Sequence, residues 1–368
     1  MQENKKILLL TPSDSAKGGI VNYFQVLNGK FKLPVEYFIR GARNWPNRDG
    51  KLKEIKRAWI DLQKFKKRIR KGDVSLIQTS TSLGSFAVIR DGFFLNAAKK
   101  KKISAIAFFR GWDEDFEKKI KGWKLFLFKK YYFSAEAFIV LSRKIEEKLR
   151  NWGYTGNVYT ETTVVDQNIL ATAPIEYLEY KISAIDQIPS NLLFLARTEG
   201  SKGLFECIEA FRLLKLKYPT LKLTISGDGF GKSLAIEMVK DYNLTSDVIF
   251  TGFINGKDKA RVFIESHIYI FPSYTEGMPN SVLEAMAFGL PVVTTSVGGL
   301  SDFFIENKHG KYIDIKDFNQ IAEKTESLLK DKELYKKIAL HNFIYARERF
   351  TSDIVINRLE KIYSHYIR

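Results

Sequence analysis

Short apolar runs alternate with amphipathic stretches along the whole chain. KKILLLT (5–11), VEYFI (35–39), VSLIQT (74–79), ISAIAFF (103–109) and AFIVL (137–141) read as strands buried on both faces. Between them, stretches such as 51–70 and 116–133 space their apolar residues as helices do. This alternation predicts a doubly wound parallel sheet. The pattern loosens over ATAPIEYLEYKISAIDQIPS (171–190), which holds two prolines and no long apolar run, and a linker is expected there. A second set of strands follows at 191–196, 221–226, 248–252, 268–273, 291–295 and 310–314, with helices near 203–217, 256–265 and 280–288. Two helical segments, 317–347 and 352–366, close the chain. The expected fold class is α/β, with two Rossmann-like domains facing each other across a cleft. Their expected limits are 1–180 and 181–345, and a C-terminal helix at 346–368 is expected to cross back to the first domain. Ligands of such sheets bind beyond the carboxyl ends of the strands, so functional residues are sought just after strands.

Composition narrows the classes. The chain has 368 residues and a formal net charge of +17. Residues 1–184 hold 35 Lys+Arg against 19 Asp+Glu, and the remainder holds 24 against 23, so the positive field belongs to the first half. That asymmetry fits an anionic partner: phospholipid, nucleic acid, or an acidic or phosphorylated substrate. A lysine-rich surface that is merely solvated is the plainer alternative. The single cysteine, Cys207, excludes an internal disulfide and a cysteine-based zinc cluster and fits a reducing compartment. The four histidines lack metal-ligand spacing, so no metal is expected. Apolar runs such as ILLL (7–10) fall far short of the roughly 18 residues a spanning helix needs, and no signal peptide precedes the first strand. The expected location is cytoplasmic, either free or peripheral on the inner face of the cytoplasmic membrane.

ISGDGFGKSL (225–234) resembles a phosphate-binding loop but has Ser226 where the first glycine belongs. It reads instead as a tight strand-to-helix turn in which Gly227 and Gly229 take positive φ.

SYTEGMPNSVLEAMAFGLPVVTT (273–295) carries the more telling chemistry. A strand ends, a loop bears Glu276, and a helix starting near Asn280 or Ser281 bears Glu284. The first turn of that helix exposes unpaired N–H groups and a positive dipole end, where phosphates bind readily. Two carboxylates flanking an anion site suit a ligand with phosphates in the middle and hydroxyl-rich sugars on either side. The alternative is a capping box, with Glu284 returning to a Ser281 cap.

The run E-G-x-P-N-x-x-x-E-A-M-A-x-G-x-P-V-V resembles the donor-site motif of the retaining glycosyltransferases of family 4, which have the GT-B fold. LARTEGSKGL (195–204), ISGDG (225–229), VIFTGFI (248–254) and TSVGGLSDFF (295–304) resemble later landmarks of that family, and LLLTPSDSAKGGI (8–20) resembles its first strand and glycine loop. The resemblance implies that Glu284 binds a ribose diol and Glu276 contacts the transferred sugar. It also implies that the backbone of Gly277, Met278, Pro279 and Asn280, beside Ser281, holds sugar hydroxyls. Arg197 and Lys202 would neutralise the diphosphate, and Gly18 and Gly19 would let backbone approach the phosphates from the other domain. It implies no cofactor and no metal, since cationic side chains and a helix end do that work, and no protein nucleophile. The family often has His-Gly after its fourth strand; this chain has Arg110-Gly111. An arginine is charged at any working pH and cannot act as a base. It fits a role in the cleft, on the donor phosphate or an anionic acceptor, or a pairing with Asp113 or Asp115. TTVVD (162–166) replaces the usual Asn-Gly-Val-Asp, which leaves Asp166 without a role.

The expected activity is transfer of a sugar, with retention, from a UDP- or GDP-sugar to a hydroxyl of a lipid-linked or surface-glycan acceptor. A UDP-sugar 2-epimerase on the same fold and a non-catalytic basic membrane- or nucleic-acid-binding protein are the alternatives. The cationic stretches 51–72 and 116–133 carry Trp59, Phe65, Trp123, Phe126 and Phe128 and would suit an anionic membrane surface, unless those aromatics pack on the sheet. Nucleic acid is not expected, because no recognised binding module is present.

Overall fold

The continuous apolar runs become strands of two parallel six-stranded sheets in a computed structural model that describes residues 5–13, 18–41, 50–183 and 191–367. The chain divides into two compact units, Met1–Thr163 with Ser352–Arg368, and Val164–Thr351. The expected limits at 180/181 and 345/346 thus differ from the observed division, and part of the expected linker, 184–190, lies outside the described residues. Within 171–183 the chain is mostly helical, because Leu178 and Ile182 fall one turn apart and pack on the second unit's core.

In the first unit, strands β1 (Lys6–Thr11), β2 (Val35–Ile39), β3 (Val74–Leu83), β4 (Ser104–Trp112), β5 (Ala137–Val140) and β6 (Asn157–Thr160) lie in the order β2-β1-β3-β4-β5-β6. The helices between them are α1 (Gly19–Leu27), α2 (Lys51–Ile69), α3 (Ser85–Lys100), α4 (Glu114–Glu117), α5 (Trp123–Tyr132) and α6 (Arg143–Asn151). β6 was not foreseen; its four residues are all at least partly exposed and give no apolar run. The stretch 116–133 splits at Gly122, which has φ 54°. Leu8, Leu10, Phe65, Phe94, Phe109 and Phe138 form the core under α2, α3 and α5. The last helix, α15 (Ser352–Ser364), belongs to this unit. Its Arg358 grips Glu161, and Tyr363 donates to Gln78 at 2.8 Å.

In the second unit, helices α7 (Gln167–Leu170) and α8 (Ile175–Ser183) precede strands β7 (Asn191–Leu195), β8 (Lys222–Ser226), β9 (Val248–Gly252), β10 (Ile268–Phe271), β11 (Val292–Thr295) and β12 (Gly310–Ile313). Their order is β12-β11-β10-β7-β8-β9. Helices α9 (Leu204–Lys217), α10 (Lys232–Asp241), α11 (Gly256–Glu265) and α12 (Asn280–Ala287) connect them; α13 (Phe318–Lys330) and α14 (Lys332–Phe350) follow. The segment expected as one helix over 317–347 breaks at Asp331, whose carboxylate accepts the Leu334 N–H at 2.9 Å and so starts a new helix. The chain steps outward from β7 through β8 to β9, then returns to place β10 on the other side of β7. The switch point therefore lies between β7 and β10, and the loops leaving their carboxyl ends are neighbours.

Candidate functional site

The loop after β7 carries Arg197 and Lys202, and the loop after β10 carries Glu276. Because the two strands are adjacent and parallel, both loops emerge side by side. Gly203, at φ 72°, turns the chain from Lys202 into α9 against β10's end, where a Cβ would fall 2.3 Å from the Pro272 carbonyl oxygen. The consequence is a direct ion pair: Lys202 Nζ lies 2.5 Å from Glu276 Oε1. Ser273 Oγ donates to the same carboxylate oxygen at 3.0 Å, which fixes its position.

Glu284 sits one turn into α12 and is 1% exposed. The alternative, a capping box, does not form: Pro279 is the cap residue, with no side-chain cap. Ser281 Oγ instead lies 2.7 Å from the Tyr269 hydroxyl, which also donates to the Leu195 carbonyl at 2.9 Å. Glu284 is turned to Lys259 of α11, whose Nζ donates to Oε1 at 2.6 Å. Oε2 is 2.5 Å from the same ammonium yet has no hydrogen bond of its own among the described residues. Burial raises the Glu284 carboxyl above the ordinary carboxylate range, while Lys259 draws it back down. Tyr269 lies close enough to both glutamates for each to push its hydroxyl pKa further upward, although burial is the main cause.

The loop Gly277–Pro279 is braced from β11's side. Gly299 N–H donates to the Gly277 carbonyl at 2.7 Å. Gly298, at φ 55°, comes so near that a Cβ would lie 2.3 Å from the Gly277 oxygen and 2.5 Å from that of Glu276. Replacing Gly298 with Ala is expected to shift this loop and destabilise the second unit by about 1–3 kcal/mol, which denaturant unfolding would measure.

The structure thus joins Lys202 to Glu276, and the charges of Glu276 and Glu284 both act on Tyr269. Arg197 is separate. Its Nη1 pairs with Glu199 at 2.7 Å, its side chain is more than half exposed, and no contact with the other three is found among the described residues. Lys259 was missed by sequence reasoning. One turn into α11, it looks like any surface lysine; only the fold brings it across to Glu284. The turn at 225–234 is tight, as read, but Gly227 alone takes positive φ. Gly229 is needed for closeness instead, 2.8 Å from the Thr198 carbonyl oxygen as a Cβ would measure it.

Gly18, Gly19 and Arg110 belong to the first unit. Gly18 caps α1 at φ 139°, and nothing lies within 4 Å of where a Cβ on Gly18 or Gly19 would stand; residues 14–17 of the glycine loop lie outside the described residues. Arg110, 8% exposed, lays its guanidinium 3.6 Å from the centre of the Tyr23 ring. Its Nε and Nη1 have no hydrogen-bond partner among the described residues. It does not pair with Asp113 or Asp115: the former caps α4 and the latter holds Lys118. Desolvation lowers the Arg110 pKa, opposed by Tyr23. Asp166 caps α7 and adds a repulsive charge near Glu284. Among the described residues there is no cluster of three or more metal-ligating groups, although His309 and His341, distant in sequence, meet with Nε2 atoms 3.2 Å apart.

Comparison with known proteins bears on this geometry. Residues 179–341 match the Glycosyl transferases group 1 family. That match contains every second-unit site residue named above except Asp166. The capsular polysaccharide biosynthesis glycosyltransferase CapM of Staphylococcus aureus is 25% identical over 266 residues, 68% of each chain. The chain spans about half the length of other curated relatives. Among solved structures, sucrose-phosphate synthase from Thermosynechococcus elongatus superposes with a TM-score of 0.75 at 17% identity, covering 98% of both chains. HepE of Anabaena, solved with UDP and glucose, gives 0.72 at 16% identity over 98% of this chain and 100% of that one. The fold class is GT-B.

Proposed function

We propose that the protein is a retaining glycosyltransferase that takes a UDP- or GDP-sugar and passes the sugar to a hydroxyl of a lipid-linked or surface-glycan acceptor. The observation that carries this reading is Glu284: a buried carboxylate one turn into a helix whose cap is a proline, with both oxygens turned to the single ammonium of Lys259. A ribose diol supplies the two donors such a carboxylate accepts, and the adjoining helix end suits the diphosphate. Glu276 and the backbone of Gly277, Met278, Pro279, Asn280 and Ser281 then face the transferred sugar. HepE was solved with UDP and glucose, the two parts of a donor of this class, and CapM's name places that relative in capsule synthesis. No relative named here favours the epimerase or the binding-module reading.

In the reaction, the bond between the sugar's C1 and the diphosphate oxygen breaks. The acceptor oxygen bonds C1 on the same face, and the acceptor's proton passes to the departing diphosphate. An ammonium has three protons, and Lys202 directs one at Glu276, leaving others for a phosphate oxygen as negative charge builds there. Arg197, exposed and free to swing from Glu199, adds a second cation. Gly18, Gly19 and Arg110 are assigned to substrate binding by the first unit, with Arg110 taking an anionic group. No metal or cofactor is part of this proposal.

A thermal-shift panel of UDP-glucose, UDP-N-acetylglucosamine and GDP-mannose tests the reading, since a ligand that binds only the folded state raises the midpoint. At least one is expected to do so, and Glu284→Ala is expected to weaken that binding by tenfold or more, roughly the 1.5–3 kcal/mol of a hydrogen bond to a charged group. A panel without any shift, or unchanged affinity in the variant, contradicts it.

A further inference from the structure

His309 and His341 touch none of the site residues, yet they meet inside the second unit. His309 ends the turn before β12 and is 1% exposed; His341 lies on α14 and is partly exposed. Their Nε2 atoms stand 3.2 Å apart, a contact with room for one proton. The backbone decides which ring supplies it. Ile305 N–H donates to His309 Nδ1 at 2.9 Å, so that nitrogen is bare and neutral His309 carries its proton on Nε2. The proton points at His341 Nε2, which is therefore bare, with the His341 proton on Nδ1. The rings are neutral and of opposite tautomers.

A second proton on either ring breaks this arrangement. On His341 it lands at Nε2 and sets two N–H groups against each other. On His309 it lands at Nδ1 and expels the Ile305 N–H. The surroundings oppose both events. The charges that bear on His341 are Lys308, in the turn, and Arg349, on α14, both cations. The same two bear on His309. Phe303 and Phe304, just before the turn, and Tyr345 of α14 enclose the pair with rings. Burial, the partner ring and these cations lower His309 to about 4; burial and the same cations lower His341.

The pair sits where loosening reaches the donor loop. It fastens α14 to the turn, and the next residue, Asn342, donates from Nδ2 to the carbonyls of Leu290 and His309 at 2.9 and 2.8 Å. α14 packs along α12, the helix of Glu284, and Arg347 Nε donates to the Ala287 carbonyl of α12 at 3.0 Å. On its other side His309 meets Phe303 and Phe304, which follow the one-turn segment Gly298–Asp302. Gly299 of that segment is the residue that holds the Gly277 carbonyl.

We propose that His309 and His341 form an acid-sensitive latch behind the donor loop. Neutral, the pair holds α14 and residues 298–304 in place; protonated, it lets both loosen, and the nucleotide sugar binds more weakly. Folding favours the neutral rings, so their contribution is fully present above the ordinary histidine value of 6.5 and is lost as pH falls toward about 4. The latch stands on geometry alone; its effect on the donor rests on the function proposed above.

The test begins with the full chain labelled with ¹⁵N in its four imidazoles, each assigned by its His→Gln variant. At about pH 7.5 the spectrum is expected to show His309 protonated on Nε2 alone and His341 on Nδ1 alone. His341→Gln keeps an acceptor for the His309 proton but does not titrate. Between about pH 7.5 and about pH 5.5, the wild type is expected to lose about fivefold or more of its affinity for the nucleotide sugar beyond what this variant loses, the lower end of ordinary coupling between sites. Titration of Glu284 is common to both proteins. The proposal is overturned if the two rings share a tautomer, if either is charged at neutral pH, or if both proteins lose affinity in parallel. A wild type that binds no nucleotide sugar overturns the proposed function instead. Urea unfolding over the same pH range then decides the latch: a steeper loss of stability in the wild type supports it, and a parallel loss overturns it.

Discussion

Replacing Lys202 with Ala is expected to lower the rate of sugar transfer by about 10²–10³-fold at saturating donor, the size usually seen when one transition-state donor is removed. The reasoning begins with charge. Breaking the sugar–phosphate bond leaves the diphosphate more negative than it was in the donor, so a fixed cation beside it favours the transition state over the ground state. Lys202 is held for that task by the 2.5 Å contact with Glu276 and by the turn at Gly203. The donor's KM should change less than kcat, and the fold should survive, because the Glu276 carboxylate left behind is partly exposed and keeps its hydrogen bond from Ser273. Steady-state kinetics with melting curves on both proteins would show this. A fully active variant removes Lys202 from the chemistry.

The second large effect is expected at Lys259. Glu284 is almost wholly buried, and Lys259 is its hydrogen-bonded counterion. Taking the ammonium away by Lys259→Ala leaves a carboxylate in low dielectric without compensation, a loss of about 3–5 kcal/mol when one partner of a buried pair is removed. Part of that cost is avoided if Glu284 takes up a proton, so the variant's carboxyl pKa should lie above the wild type's. A protonated Glu284 can accept only weakly from a ribose diol. Nucleotide affinity in Lys259→Ala is therefore expected to fall more steeply than the wild type's as pH is lowered. Urea unfolding and calorimetric titration across pH measure both parts. Glu284→Gln combined with Lys259→Met should recover much of the stability but not the nucleotide affinity, which separates folding from binding.

How much of this was legible in the sequence depended on what each residue's role rests on. Strands buried on both faces announce themselves as unbroken apolar runs, so most of both sheets could be read directly; β6, short and half-wet, could not. The loop after β10 was readable because its glycine, proline and two glutamates lie in one contiguous stretch. Lys259 was not, since its partner is 25 residues away and the bond depends on how α11 meets α12. The capping-box reading failed for a related reason: Tyr269, a strand residue, occupies Ser281, and Lys259 occupies Glu284, so tertiary partners displaced the local pairing. Arg110 kept its ambiguity in sequence because two aspartates follow it closely, yet in the fold both are used elsewhere and its guanidinium lies on Tyr23. For the basic helices, spacing could not separate aromatics that face the sheet from those that face out; only burial did so.

The most direct measurement is a crystal structure of the protein with UDP or a UDP-sugar, or their GDP counterparts if the thermal panel selects them. The account predicts ribose hydroxyls on Glu284, the diphosphate between Lys202 and the first N–H groups of α12, and the sugar beside Glu276. A nucleotide bound away from Glu284 and Lys202, in a crystal of protein that still transfers sugar, would contradict it.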